Sequence, residues 1–102
     1  MDPIQRVTAP TLAVLQLLAG APGPTWGLEV IKASGRSPGT VYPILDRLTR
    51  LGWTEATWED DPSRSGPRRR FYQLTVEGRV ATNQLLRART DAVRPLRVAT
   101  EG

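Results

Sequence analysis

The sequence predicts a mainly α chain with a small β-hairpin, in the order of a winged helix-turn-helix: a three-helix core, a two-stranded wing and a C-terminal dimerisation helix. Three observations carry that expectation. Apolar residues recur at helical spacing across 11–19, 28–31 and 41–51; two β-forming runs, 53–58 and 70–74, follow; and the segment joining those runs is basic, with a final helical stretch after it.

The first helix is expected over Thr11 to Ala19, after Pro10, a residue tolerated in a first turn, and before Gly20 as a C-terminal cap. Its apolar side chains point nearly all round, so one face can meet the core while another, holding Leu12 and Leu15, is left for a second copy of the chain. Ala21 to Thr25 reads as a loop, and Thr25 as the cap of a short helix from Trp26 to Ser34, closed by Gly35. Ser37 and Pro38 open the third helix as N-cap and first helical residue. There Val41, Ile44, Leu45, Leu48 and Leu51 gather on one side, with Gly39, Tyr42, Pro43, Asp46, Arg47 and Arg50 on the other. Pro43 lacks an N–H and crowds the Gly39 carbonyl, so a distorted or late first turn is expected. Gly52 closes this helix. Trp53 to Trp58 and Arg70 to Leu74 read as antiparallel strands, joined by a long wing loop. Thr75 caps a last helix running to about Val93, before Pro95, in which Ala81, Leu85, Ala88 and Ala92 form a small-residue stripe and Val76 and Val80 a second one. These readings give one DNA-binding and dimerisation domain over 8–94, with flexible termini at 1–7 and 95–102.

Composition narrows the function. The 102 residues contain neither cysteine nor histidine, which removes disulfides, thiolate ligands, the usual general base and the commonest metal ligand. No metal or other cofactor is expected, and the carboxylates of Asp46, Glu55, Glu59, Asp60, Asp61 and Glu77 fall in no acid/base or metal-binding spacing, so the chain reads as no enzyme. The net charge is +4, and Lys32 is the single lysine among 14 basic residues. An arginine excess suits phosphate, because the guanidinium fork donates in pairs. No apolar run approaches the roughly 18 residues of a membrane span, and no leader is recognisable, so a soluble cytoplasmic protein is expected.

A helix entering the major groove needs a slim leading end, donors for phosphate and longer side chains aimed at base edges. Gly39 and Thr40 supply the slim end, the N-terminus near Ser37 a positive dipole, Tyr42 a hydroxyl, and Arg47 a reach to phosphate or guanine. Arg64, Arg68, Arg69 and Arg70 cluster around Gly66 and Pro67 as a mobile basic tip suited to the sugar–phosphate chain or the minor groove. Double-stranded DNA is therefore the expected partner, together with a second copy of the chain. The competing reading is a winged helix that binds another protein, which has no need of a basic tip. For Trp26, Trp53 and Trp58, core packing is the simpler role than lining a ligand cavity.

Across residues 11 to 87 the chain resembles the PadR family of winged-helix transcriptional regulators. The resemblance rests on WGLEVIKASG at 26–35, SPGTVYPILDRLTRLGW at 37–53, the WED segment from Trp58, and GPRRRFYQLTVEG at 66–78. It implies that Gly39, Thr40, Tyr42 and Pro43 begin a recognition helix, flanked on DNA by the wing arginines Arg68 to Arg70. It further implies a homodimer, often a repressor, on an inverted-repeat operator, paired through the first helix and the helix after the wing. The chain is similar to the short members, without an appended dimerisation domain. Some of these bind flat aromatic effectors with a tryptophan of the last helix; residues 75–93 contain no aromatic, so a small-molecule effector stays unassigned.

Overall fold

The computed structural model describes residues 1–101, with side chains described as far as Arg89. Its elements are α1 (Ala9–Gly20), β1 (Thr25–Trp26), α2 (Gly27–Ser34), α3 (Pro38–Arg50), β2 (Thr54–Trp58), β3 (Arg70–Leu74) and α4 (Val76–Glu101). The mainly α architecture with a small wing is as expected, with one addition. Thr25 and Trp26 do not cap and open α2; they pair with Tyr72 and Phe71 as a third antiparallel strand, giving the sheet order β1-β3-β2. The hairpin register runs from Thr54↔Leu74 at its base to Trp58↔Arg70 at its tip.

Helix α1 starts two residues before the expected Thr11, because Thr8 serves as N-cap: its Oγ1 accepts the Thr11 N–H at 3.3 Å. Gly20 lies inside the helix, and Ala21, in extended backbone, ends it. Helix α3 begins at Pro38, as expected, with both the Thr40 and Val41 N–H groups on the Ser37 carbonyl at 3.0 Å. The late start expected from Pro43 does not occur. One lost N–H removes a single ladder bond, and the buried face of a 13-residue helix outweighs it. Helix α4 runs through Pro95 to Glu101 rather than ending near Val93.

The core is where the three helices meet the sheet. Val14, Leu15 and Leu18 of α1 lie against Val30 and Ile31 of α2, Val41, Ile44, Leu45 and Leu48 of α3, and Tyr72 and Leu74 of β3. Leu15, expected on an outer face for dimerisation, has no exposed surface at all. An all-round apolar helix gives no period to choose its inward side, and here the sheet and two helices use Leu15 fully. Trp53, 6% exposed, closes the bottom of the core, and its indole N–H donates to the Asp2 carbonyl at 2.7 Å. The Asp2 N–H in turn donates to the Leu51 carbonyl at 2.9 Å, and Ile4 packs against the core. The first residues are thus tied to the α3–β2 corner instead of hanging free, because they satisfy a buried indole and a helix-end carbonyl. No described helix is long and apolar enough to cross a membrane.

Candidate nucleic-acid interface

The leading end of α3 stands clear of the body. Ser37, Pro38, Gly39, Tyr42 and Pro43 are exposed and Thr40 is half-buried, its hydroxyl 3.2 Å from that of Ser37. Ser37 occupies the N-cap position without a side-chain bond to the helix backbone. Gly39 has ordinary helical backbone, and a Cβ added to it meets nothing nearer than the Ser37 Oγ at 3.9 Å. Nothing inside the protomer therefore requires a glycine there. Because Pro43 has no N–H, the Gly39 carbonyl also lacks its i+4 helical donor, on a residue that is exposed. Tyr42 leans on the start of α2, where Gly27 leaves room: a Cβ at Gly27 stands 3.1 Å from the Tyr42 ring.

The wing is more ordered internally than a mobile basic tip, and Glu59 is the reason. Its carboxylate, on a side chain only 13% exposed, takes Arg64 Nε and lies 3.9 Å from Arg69 Nε. Its backbone N–H donates to the Arg69 carbonyl at 2.6 Å, and its carbonyl accepts Arg68 Nε at 2.9 Å. Arg64 spends its remaining nitrogens on the Ser65 and Pro67 carbonyls, so it curls the loop around Gly66 rather than facing outward. Arg69 stacks on Trp26, 4.0 Å from the ring centroid. At the turn, the Ser63 hydroxyl and amide hold the Asp61 carboxyl below the ordinary carboxylate range. Of the four wing arginines, then, Arg64 and Arg69 are drawn into the wing by a carboxylate, and Arg68 and Arg70 keep guanidinium nitrogens free of any acidic partner among the described residues.

Arg68 and Arg70 join Tyr42 in one cleft of about 390 Å³, walled also by Trp26, Asp46, Trp58 and Tyr72. Arg70 lies 4.8 Å from the Trp58 ring centroid and 5.8 Å from that of Tyr72. Burial pushes the Tyr72 phenol up from its ordinary value, partly offset by Arg70. The cleft brings the leading half of α3 and the wing onto a single concave surface.

Arg47 lies elsewhere. Its Nη2 donates to Thr11 Oγ1 at 3.2 Å, and it lines a separate hollow with residues 2–6 and Leu51. Five residues along the helix from Tyr42 place it about 140° away at roughly 100° per residue, which the sequence reading of one outer face passed over. Among the residues expected to pair two copies, Leu12 is half-buried, Ala81 and Leu85 are half-buried against the core, and Ala88 is exposed. Ala92 lies outside the residues whose side chains are described. Val76 and Val80, 84% and 53% exposed, leave the second stripe of α4 uncovered.

Two residues of this candidate surface are not singled out by the sequence reading. Glu59 stands in the sequence only as one carboxylate among several without a catalytic spacing, although the strand register that pairs Trp58 with Arg70 sets it beside Arg69 one step further along. Trp58 was read as core packing, yet it is 52% exposed. No group of three acidic, histidine or cysteine side chains that could hold a metal occurs among the described residues.

The role of Glu59 gives an expected result. Glu59→Gln keeps hydrogen-bonding capacity but removes the charge holding Arg64 and Arg69, so stability should fall by about 1 kcal/mol, while binding to any duplex becomes more salt-dependent. Chemical denaturation and a salt titration of binding read the two effects. An unchanged salt slope would show that those arginines stay within the wing without Glu59.

Comparison with known proteins places this geometry. Residues 14–84 match the family described as the transcriptional regulator PadR-like family. Among solved structures, the chain is similar to a PadR-like transcription factor from Bacteroides fragilis, at 21% identity over 87% of each chain and a TM-score of 0.69. It is also similar to a PadR-like transcriptional regulator from Bacillus cereus, at 18% identity over 90% of this chain and 91% of that one, TM-score 0.69. The protein smu.1704 of Streptococcus mutans matches at 22% identity over 98% and 95%, TM-score 0.70. No curated protein matches.

Proposed function

The chain belongs to the PadR-like family of transcriptional regulators, and from that premise we propose that it binds duplex DNA as a homodimer and represses transcription from an inverted-repeat operator. The observation that carries the reading is the cleft in which Tyr42 of α3 meets Arg68 and Arg70 of the wing. In this reading Ser37, Gly39, Thr40, Tyr42 and Pro43 approach the floor of the major groove, and Arg68 and Arg70 take the flanking phosphates. Arg69 contributes charge from its place on Trp26 and shapes the wing; Arg64 holds the loop. Arg47, turned toward α1, serves a backbone phosphate beyond the far side of the helix rather than a base in the cleft.

The homodimer is supported by the apolar face of α4 that Val76 and Val80 leave uncovered, and by Leu12 at the edge of α1. A two-fold pair presents two α3 helices to successive major-groove faces, about one helical turn apart, and the operator then repeats in inverted order. Repression follows if that operator overlaps a promoter, where the bound dimer excludes polymerase.

The test is retardation of a duplex carrying the chain's own promoter, followed across a salt series. Affinity is expected to fall steeply between about 50 and 200 mM salt, by roughly 10³-fold or more if six phosphates are contacted. Selection from a random duplex library should return a palindrome. Binding that ignores salt, or a pull-down dominated by a nuclease-insensitive protein partner, would favour a protein-interaction role instead.

A further inference from the structure

Arg70 is a half-buried cation set against two aromatic side chains. Its guanidinium lies between the Trp58 and Tyr72 faces, and no carboxylate pairs with it among the described residues. Arg64 and Arg69, a few residues away, both have Glu59. A guanidinium taken partly out of water keeps a strong demand for an anion; the Trp58 ring fixes its plane and the Tyr72 phenol oxygen takes one of its N–H groups, which leaves the other N–H groups to donate. Trp58, half of whose surface is exposed, stands beside it at the tip of β2, on the wall of the cleft that Tyr42 and Arg68 also line.

Resting on the DNA-binding reading, we propose that this corner is a nucleotide seat: Arg70 receives one backbone phosphate, and the exposed indole of Trp58 packs against the adjoining deoxyribose. Trp58 thus acts twice, as a direct contact and as the ring that positions the Arg70 fork. Tyr72 supplies the second ring from the core side, where it is 2% exposed and cannot reach DNA itself. Asp46 is the one acidic wall of the cleft and leaves it with a single net positive charge when Arg68 and Arg70 are counted, matched to a single phosphodiester. The seat recognises sugar and phosphate, so it adds affinity to every duplex and selects no sequence.

The experiment compares wild type, Trp58→Ala, Trp58→Phe and Arg70→Gln in salt-resolved binding to the selected operator and to an unrelated duplex, with thermal melts of each variant. Trp58→Ala is expected to weaken both duplexes by about five- to tenfold, and Trp58→Phe to restore most of the loss. Arg70→Gln is expected to lower the salt slope by about one. Tryptophan emission should also be quenched on DNA addition in wild type, and Trp58→Phe should lose a clear part of that change: Trp53 is buried, and Trp26, a half-buried wall of the same cleft stacked under Arg69, supplies only the remainder. If wild type binds DNA but Trp58→Ala binds as tightly with no loss of quenching, the seat is wrong and the DNA-binding reading stands. If wild type itself binds neither duplex, the DNA-binding reading fails first. A variant with a lowered melting temperature is judged by Trp58→Phe, whose failure to restore affinity despite a wild-type melt overturns the proposal.

Discussion

Gly78→Ala should cost about 3 kcal/mol or more of folding stability and lower Tm by more than about 10 °C. A Cβ on Gly78 would stand 2.0 Å from the Trp53 carbonyl oxygen and 2.8 Å from its carbon, both backbone atoms. Nothing flexible can yield there. The Trp53 carbonyl also accepts the Thr75 N–H at 3.0 Å, and the Thr75 hydroxyl bonds the Gly52 carbonyl at 2.8 Å while accepting the Gly78 N–H at 2.9 Å. This knot joins the base of the wing to the first turn of α4, so a methyl group must push the two apart and break the cap as well. Gly20→Ala provides the control, since a Cβ there meets nothing within 4 Å. Denaturant melts of both variants decide the matter: a loss under about 1 kcal/mol for Gly78→Ala would mean that α4 does not approach the Trp53 carbonyl so closely.

That knot shows which parts of the molecule can be read in a sequence. Local chemistry was legible: Ser37 and Pro38 begin α3, Gly35 in left-handed backbone closes α2, and Arg70 to Leu74 form β3 as expected. Those features depend on one residue and its immediate neighbours. What depended on contacts between distant segments was not legible. Two residues, Thr25 and Trp26, have no period of their own, and become a strand only because β3 offers them an edge. Leu12 and Leu15 look alike along an apolar helix, and only the surrounding elements send Leu15 inward. The wing is intermediate. Its four arginines read as one patch, but hairpin pairing sorts them, giving Arg64 and Arg69 to Glu59 and leaving Arg68 and Arg70 to the cleft. Charge counting saw the field; the division of labour needed the register.

The second large effect concerns binding without stability. Gly39→Ala is expected to leave the fold as stable as wild type, or firmer by up to about 1 kcal/mol, because alanine is the better helix former and the space around the position is open. Yet affinity for the operator should fall by about 1–3 kcal/mol, roughly 5- to 150-fold, a loss of the size of one base contact. The two halves of this expectation pull apart because the glycine answers to no requirement inside the protomer: its backbone is ordinary, and no neighbour crowds it. Only a body arriving from outside gives a missing side chain a use there. With Pro43 leaving the Gly39 carbonyl without a helical donor, the same point also offers a bare acceptor to that body. Paired melts and binding isotherms on one preparation measure both halves. Unchanged affinity would move the contact surface off the leading end of α3, and a drop in stability would reveal an internal neighbour at Gly39; equal stability with weakened binding would place duplex DNA against that turn.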